Sequence, residues 1–587
     1  MSTTTSSVSI SPRSARRLDR QFWLMIALAA LVLLPRSYLI TRSQSERVDD
    51  EYHIQRGVMF LNRQLADTDQ FPLNDPPLGE GLTVLPLWMM HTWHEILPLQ
   101  SAIWNQRFKP DTILNCIGLW KSLLLLPMLG VVFAWLGELY GTKSAWLAVA
   151  MLLIDPTLAA HAPLPTVDVL GAEGIVIACF ATWKYFQQPT WRRLTLAAIT
   201  MAVALLLKHT AILLPGVAMI FATMWWIVRP WREDRLRESW QGKIAQRLGM
   251  LFAAAGIVLL MIWALCLFDI SKPRFPSPDY GSWTAKWENL HPLAARMLDR
   301  RLPAGIYIGS ILQAQMHATY GHMSYLFGEK RISGWWYYFP VVATYKVPIG
   351  IGVVLLMGII SLKWIKPRWG EWSLLIPMLA WSAFMMGSKI DIGFRHFLPA
   401  YVFMIMLASR IMLHDVKAWL AVAWIALAAA GADTLRYHPD YLCYINFPRQ
   451  DVWKQISDSN VDWGQGLKYV RRWIDTHPNR QIFVRDFGWI ELRLSDVSER
   501  LGPRVTLLDR NSRPPTHGVL IISPVPLLGI YDLRWLRDPF AALRDQKPIA
   551  ILGHSMRVYD LDRLRKPGQP FHWGRPPAIR PTTKETP

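Results

Sequence analysis

About eleven apolar runs fill most of the first 435 positions of the chain, and a sequence carrying so many has few ways to fold in water. They lie at 22–40, 111–139, 144–160, 167–186, 193–207, 209–228, 248–269, 346–362, 373–387, 396–413 and 417–435. A helix crosses a bilayer with about 20 apolar residues, so the runs predict a polytopic α-helical membrane protein. The runs at 144–160 and 193–207 are short for full crossings. Only 18% of the 587 residues are charged, against roughly 25% in soluble domains, and 52% are hydrophobic. Four cysteines (Cys116, Cys179, Cys266, Cys443) form no paired spacing. Together these features exclude a disordered chain, a disulfide-rich secreted scaffold and a simple soluble enzyme.

The formal charge of +20 would point to nucleic acid in a soluble protein. Here it is first a question of sidedness, and no nucleic-acid partner is expected. The N-terminal stretch 1–21 carries Arg13, Arg16, Arg17 and Arg20, and no small-residue cleavage site follows the first run, which reads as a retained span. With the N-terminus inside, the inner loops at 141–143, 184–193, 229–247, 363–368 and 410–417 are mostly short and basic, which is the positive-inside pattern. An odd number of spans then puts the C-terminal third outside.

Three large pieces fall on that outer side: the loops 41–110 and 270–345, and a domain at 436–570 before a polar tail, 571–587, read as disordered. The domain alternates strand candidates (481–487, 504–508, 518–523, 548–552, 556–561) with helix candidates (464–475, 538–545). The whole is a transmembrane domain at 22–435 with a C-terminal extracytoplasmic α/β domain. No internal or inverted repeat is evident.

Ionisable residues at span ends are costly and usually mark a pathway or a reaction site. The first outer loop opens Asp49-Asp50-Glu51-Tyr52-His53; Asp168 begins the fourth span; Lys208-His209 separates two runs; Lys389, Asp391, Arg395 and His396 lie between the ninth and tenth spans. A phosphate leaving group needs Lys or Arg to neutralise its growing charge. An attacking hydroxyl needs a carboxylate to take its proton, and adjacent acids can hold a divalent cation. A donor anchored in lipid would present its phosphate at the interface beside these groups.

Several segments, in order, resemble the polytopic glycosyltransferases of the GT-C superfamily. Asp50-Glu51-Tyr52-His53 with Gly57 resembles the D-E-x-H of protein O-mannosyltransferases. Asn74-Asp75-Pro76-Pro77-Leu78-Gly79 is similar to their H-P-P-L-G-K stretch, with Asn-Asp and Glu80 as departures. Asp155-Pro156 through His161 to Asp168, Lys208-His209-Thr210, and Gly393-Phe394-Arg395-His396-Phe397-Leu398-Pro399 resemble further family segments. Tyr437-His438-Pro439 with Tyr441-Leu442, the run Asp458-Ser459-Asn460-Val461-Asp462-Trp463-Gly464-Gln465, and 548–555 are similar to bacterial glycosyltransferase-39-like proteins, the branch related to aminoarabinose transferase.

The resemblance implies a GT-C-like fold in a bacterial cytoplasmic (inner) membrane and a polyprenyl-phosphate sugar as donor. The acceptor would be a protein, lipid or glycan on the extracytoplasmic face. It implies Asp50 as the base, with Glu51 positioning it or sharing a divalent metal with it. Lys208, Arg395, His396 and Lys389 would bind the donor phosphate; His53, Asp75, His161 and Asp168 would support them or face the acceptor. Plainer readings stand beside these. Asp168 could cap a helix, Lys208 could snorkel, and Arg395-His396 could simply flank a span. His91, His94 and Glu95 fit an interfacial helix, and Trp335–Phe339 fits a membrane-interface belt. Asp462–Gln465 reads as a helix start ahead of a catalytic group. The competing functions are a transporter or flippase of an anionic lipid-linked substrate and a lipid-linked glycan ligase.

Overall fold

The computed structural model describes residues 12–65, 75–94, 109–232, 244–273, 296, 299–446, 451–488, 503–531, 538–566 and 569–573. Asn74, Glu95, parts of the loops 41–110 and 270–345, and the tail from 574 lie outside the described residues.

Seven helices among these residues are long and apolar enough to cross a bilayer: Asp19–Ser43, Pro110–Leu139, Asp168–Gln187, His209–Val228, Ala245–Leu265, Phe394–Leu413 and Lys417–Leu435. The four remaining apolar runs form shorter helices, Thr142–Ile154, Trp191–Leu207, Ile349–Lys363 and Trp372–Met386. The protein is a multi-pass membrane protein. The apolar run at 144–160 is not one helix. Pro156 has no N–H to continue the ladder, and Asp155 accepts the Leu158 amide at 2.8 Å, so a second short helix, Pro156–His161, starts there. The run at 346–362 likewise begins only after Pro348, which follows the separate helix Tyr338–Lys346.

The first helix packs along Pro110–Leu139, and Asp168–Gln187 packs along Trp191–Leu207. The bundle interior is aromatic: Trp135 and Trp183, both fully buried, stack with centroids 5.4 Å apart. The helices Asp50–Leu61 and Pro77–His94 lie against each other where Gly57 allows it. A Cβ on Gly57 would come within 2.3 Å of the Glu80 carbonyl oxygen.

The C-terminal region carries one five-stranded sheet, in the order Val505–Leu507, Ile482–Arg485, Val519–Ile522, Met556–Asp560, Ala550–Leu552. The first three strands are parallel and the last two antiparallel to their neighbours. Val519–Ile522 is apolar at every position and buried on both faces, as a central strand requires. The helix Leu467–Thr476 covers the sheet with Leu467, Val470 and Ile474. The helix expected at 538–545 is only a single 3-10 turn, Ala541–Leu543.

Candidate active site

Asp168 is the first residue of its helix, and its side chain does not cap it. It turns instead to two cations. Lys208 Nζ donates to Asp168 Oδ1, and Arg395 Nε lies 3.4 Å from Oδ2. His396 Nδ1 is 3.8 Å from the same carboxylate. Three helix ends deliver these groups. Asp168 sits where the positive end of a helix favours an acid, and Lys208 is the extended C-cap of Trp191–Leu207, where a cation is favoured. Arg395 and His396 occupy the 3-10 turn Phe394–Phe397 that leads into Leu398–Ala408.

The close approach of Lys208 depends on Gly171, one turn after Asp168. A Cβ there would lie 2.6 Å from Lys208 Cβ and 2.7 Å from Cδ. Lys208 is therefore packed and paired rather than snorkelling. Two cations share one carboxylate, which leaves one positive charge in excess. Arg395 Nη1 is buried and has no hydrogen-bond partner among the described residues. An anion can take up that unspent donor and charge.

Asp50 begins the helix Asp50–Leu61 and is fully buried. Its Oδ2 accepts the Arg47 amide at 3.0 Å and lies 3.5 Å from the Arg47 guanidinium, while Oδ1 has no hydrogen-bond partner among the described residues. Burial pushes the Asp50 carboxyl up from its ordinary range, against the pull of Arg47. Glu51 is half-buried at the next position.

Lys121 links the two centres electrostatically. Its ammonium donates to the Thr166 carbonyl at 2.7 Å and lies within the fields of Asp168, Lys208 and Asp50. His161 lies within the fields of Arg395, Asp168 and Arg47 as well. Its own pKa is lowered to about 3, first by burial and then by Arg395, so it is a neutral imidazole.

His53 and Asp75 belong to a neighbouring cluster around Glu80. His53 Nδ1 is 2.9 Å and Arg56 Nη1 3.1 Å from Glu80 Oε1, and Arg56 Nη2 donates to the Asp75 carbonyl at 2.8 Å. Burial opposes the protonated form of His53, yet its bond to Glu80 raises its pKa. Metal-ligating atoms of His53, Asp75 and Glu80 lie within 4.8 Å of one another. The Arg56 guanidinium already supplies the positive charge that a metal would bring, so the cluster fits an internal ion pair better than a metal centre. Lys389 is not brought to the Asp168 cluster. It is exposed and donates to the Thr319 carbonyl at 3.1 Å.

The run 458–465 acts as a clasp between the two centres. Asn460 Oδ1 accepts the Phe394 amide at 2.9 Å, and Ser459 Oγ donates to the Ile392 carbonyl at 2.6 Å, which fixes the loop carrying Arg395. The Ser45 and Val48 amides donate to the carbonyls of Gln465 and Trp463 at 3.2 and 3.1 Å, which fixes the approach to Asp50. Trp463 lays its ring 3.6 Å from the Arg395 guanidinium carbon.

Arg47 and Lys121 are the site residues that motif reading passes over, whereas Glu80 enters it only as a departure from a family segment and Trp463 only as part of a helix start. Only Lys121 carries a signal in its own surroundings, as a lone charge inside the apolar Pro110–Leu139 run. Trp335, expected in an interface belt, is buried and donates its amide to Asp391 at 2.6 Å, whereas Trp336 is exposed.

Residues 115–270, which include Lys121, Asp168 and Lys208, match the family described as dolichyl-phosphate-mannose-protein mannosyltransferase. The match covers well under half of the 587 residues. No curated protein matches the chain in sequence.

Among solved structures, the chain is distantly similar to ArnT from Cupriavidus metallidurans bound to undecaprenyl phosphate. Identity is 13%, coverage 91% of this chain and 97% of that one, and the TM-score 0.44. An Archaeoglobus fulgidus oligosaccharyltransferase tethered to an acceptor peptide is 12% identical, with a TM-score of 0.40, covering 81% of this chain and 62% of that one.

Proposed function

We propose that this protein moves a sugar from a polyprenyl-phosphate donor to an acceptor on the extracytoplasmic face, with Asp50 as general base. The acceptor oxygen attacks the anomeric carbon, its proton passes to Asp50 Oδ1, and the bond from that carbon to the phosphate oxygen breaks. The phosphate leaves with the bonding pair, so its charge grows by one. Lys208 and Arg395 neutralise that growth. Asp168 holds both cations in register and, in the absence of donor, occupies the charge a phosphate would meet. His161 and His396 supply imidazole hydrogen-bonding surface around it. Glu51 stands beside the base, and Lys389 is assigned no role in the transfer.

The observation that carries the reading is the convergence of Lys208 and Arg395 on one carboxylate, with an unspent Arg395 donor among the described residues, while Lys121 lies within the fields of both that carboxylate and Asp50. The matching family is described by a dolichyl-phosphate sugar, itself a polyprenyl-type phosphate, which supports this donor class. No metal step is needed.

The test supplies purified protein with polyprenyl-phosphate monosaccharides labelled in the sugar. Release of free polyprenyl phosphate together with labelled acceptor supports transfer. Transfer only from lipid-linked oligosaccharides would make it a glycan ligase. Movement of intact donor across vesicles without cleavage would refute the proposal.

A further inference from the structure

A cleft of about 1040 Å³ opens in the C-terminal domain, lined by none of the groups assigned to transfer. That volume sits at the upper end of small-molecule sites and has room for several sugar rings. The strand Met556–Asp560 sends alternate side chains to one face, and so Arg557 and Tyr559 both reach the cleft. The Arg557 guanidinium lies 4.2 Å from the centre of the Trp453 ring and donates to the Ser555 carbonyl at 2.8 Å. Tyr559 is 1% exposed, and its hydroxyl has no hydrogen-bond partner among the described residues. A buried hydroxyl without a partner costs free energy, and the cleft is where a partner can reach it.

At the rim, the half-exposed ring of Tyr437 lies 5.1 Å from that of His554, which is exposed. The charged side chains of the cleft divide nearly evenly between acids and bases, so it does not select for net charge. Aromatic faces, a buried guanidinium and an unspent hydroxyl form a surface for rings that are apolar on one face and carry hydroxyls at the edge.

We propose that this cleft is a carbohydrate-binding site. A sugar ring lies against Tyr437 and His554, and its hydroxyls meet Tyr559 and Arg557. The wall is tied to the Asp50 centre: His554 Nδ1 is 3.1 Å from Asp440 Oδ2, Gln44 donates to Asp440 Oδ1 at 2.9 Å, and Arg47 donates to Gln44 at 2.5 Å. The site goes beyond the transfer chemistry, and its binding does not depend on that chemistry.

The test is saturation-transfer NMR and calorimetry on the full-length protein, in a detergent without a sugar headgroup, with maltotetraose, chitotetraose and mannotriose as probes. At least one should bind saturably at millimolar concentration. Tyr559→Phe, which removes only the hydroxyl, should weaken it by roughly fivefold, the worth of one hydrogen bond, and Tyr437→Leu should weaken it further. Asp50→Asn should bind as wild type does, which separates this site from the transfer reading. Failure of all three sugars to bind wild-type protein, or equal binding by both cleft variants with unchanged melting curves, would overturn the proposal.

Discussion

The indole of Trp463 lies 3.6 Å from the guanidinium carbon of Arg395. Trp463 belongs to the segment that precedes the C-terminal sheet, and Arg395 to a turn in the membrane bundle. The contact therefore makes the orientation of a cation proposed to meet the donor phosphate depend on the C-terminal part of the chain. A desolvated cation–π contact of this kind contributes about 2 kcal/mol. Trp463→Leu should raise the apparent KM for donor by roughly tenfold or more, and Trp463→Phe should restore most of it. An unchanged donor KM in Trp463→Leu would show that the stacking does not position Arg395.

Gly171→Ala tests how Lys208 is held. The added methyl would lie 2.6 Å from Lys208 Cβ, and overpacking of this kind costs about 1–3 kcal/mol. The ammonium should shift away from Asp168, and donor affinity should fall. Gly216→Ala is the matched control, because a Cβ there meets nothing within 4 Å. Equal donor affinity in the two variants would contradict the packing argument.

Asn460 touches no reacting group, yet it bonds the Phe394 amide and the Tyr338 hydroxyl, each at 2.9 Å. Asn460→Ala leaves a buried amide unpaired, at a cost of about 1–3 kcal/mol. Melting temperature should drop and turnover should fall with it, because the Arg395 turn loses its anchor. A stable variant with full turnover would remove the clasp from the mechanism.

Asp391 gives a pH signature. Burial pushes its carboxyl up to about 7, against the pull of the Trp335 amide, whereas an ordinary Asp titrates near about 3.9. The folded state thus holds this proton more tightly than the unfolded state. The stability it contributes is full below about pH 4 and is lost as the pH rises through about 7. Melting temperature should decline between pH 5 and pH 8. Asp391→Asn keeps an acceptor for Trp335 and should flatten that decline; an unchanged slope would assign it elsewhere.

Much of the architecture is legible in the sequence because it is written in local pattern. Apolar run length marks the helices, and short apolar runs between polar stretches mark the strands Ile482–Arg485, Val519–Ile522 and Met556–Asp560. The failures are local as well. Pro156 and Pro348 break runs that hydropathy alone joins, and the helix expected at 538–545 is only the turn Ala541–Leu543.

The site is legible as a set of misplaced charges but not as a set of partners. Glu80 stands out in the sequence as a departure from a family segment. Its meaning appears only when Gly57 lets two helices touch and Arg56 meets it at 3.1 Å. Lys121 with Thr166, and Asp168 with Arg395, are pairs between distant stretches of chain. A single sequence carries no record of such distances. The clasp at 458–465 reads as a helix start from sequence, because its bonds to Phe394 and Ser45 are tertiary.

If Asp50 takes the acceptor proton, single-turnover transfer by Asp50→Asn beside wild type will show it, with donor binding measured on the same samples. The Asn side chain keeps the bond to the Arg47 amide but cannot accept a proton as a base. General-base catalysis contributes about 10²–10⁴-fold, so transfer should fall by that factor while donor affinity and melting temperature stay near wild type. Transfer at the wild-type rate in a folded, donor-binding Asp50→Asn protein would refute the role given to Asp50.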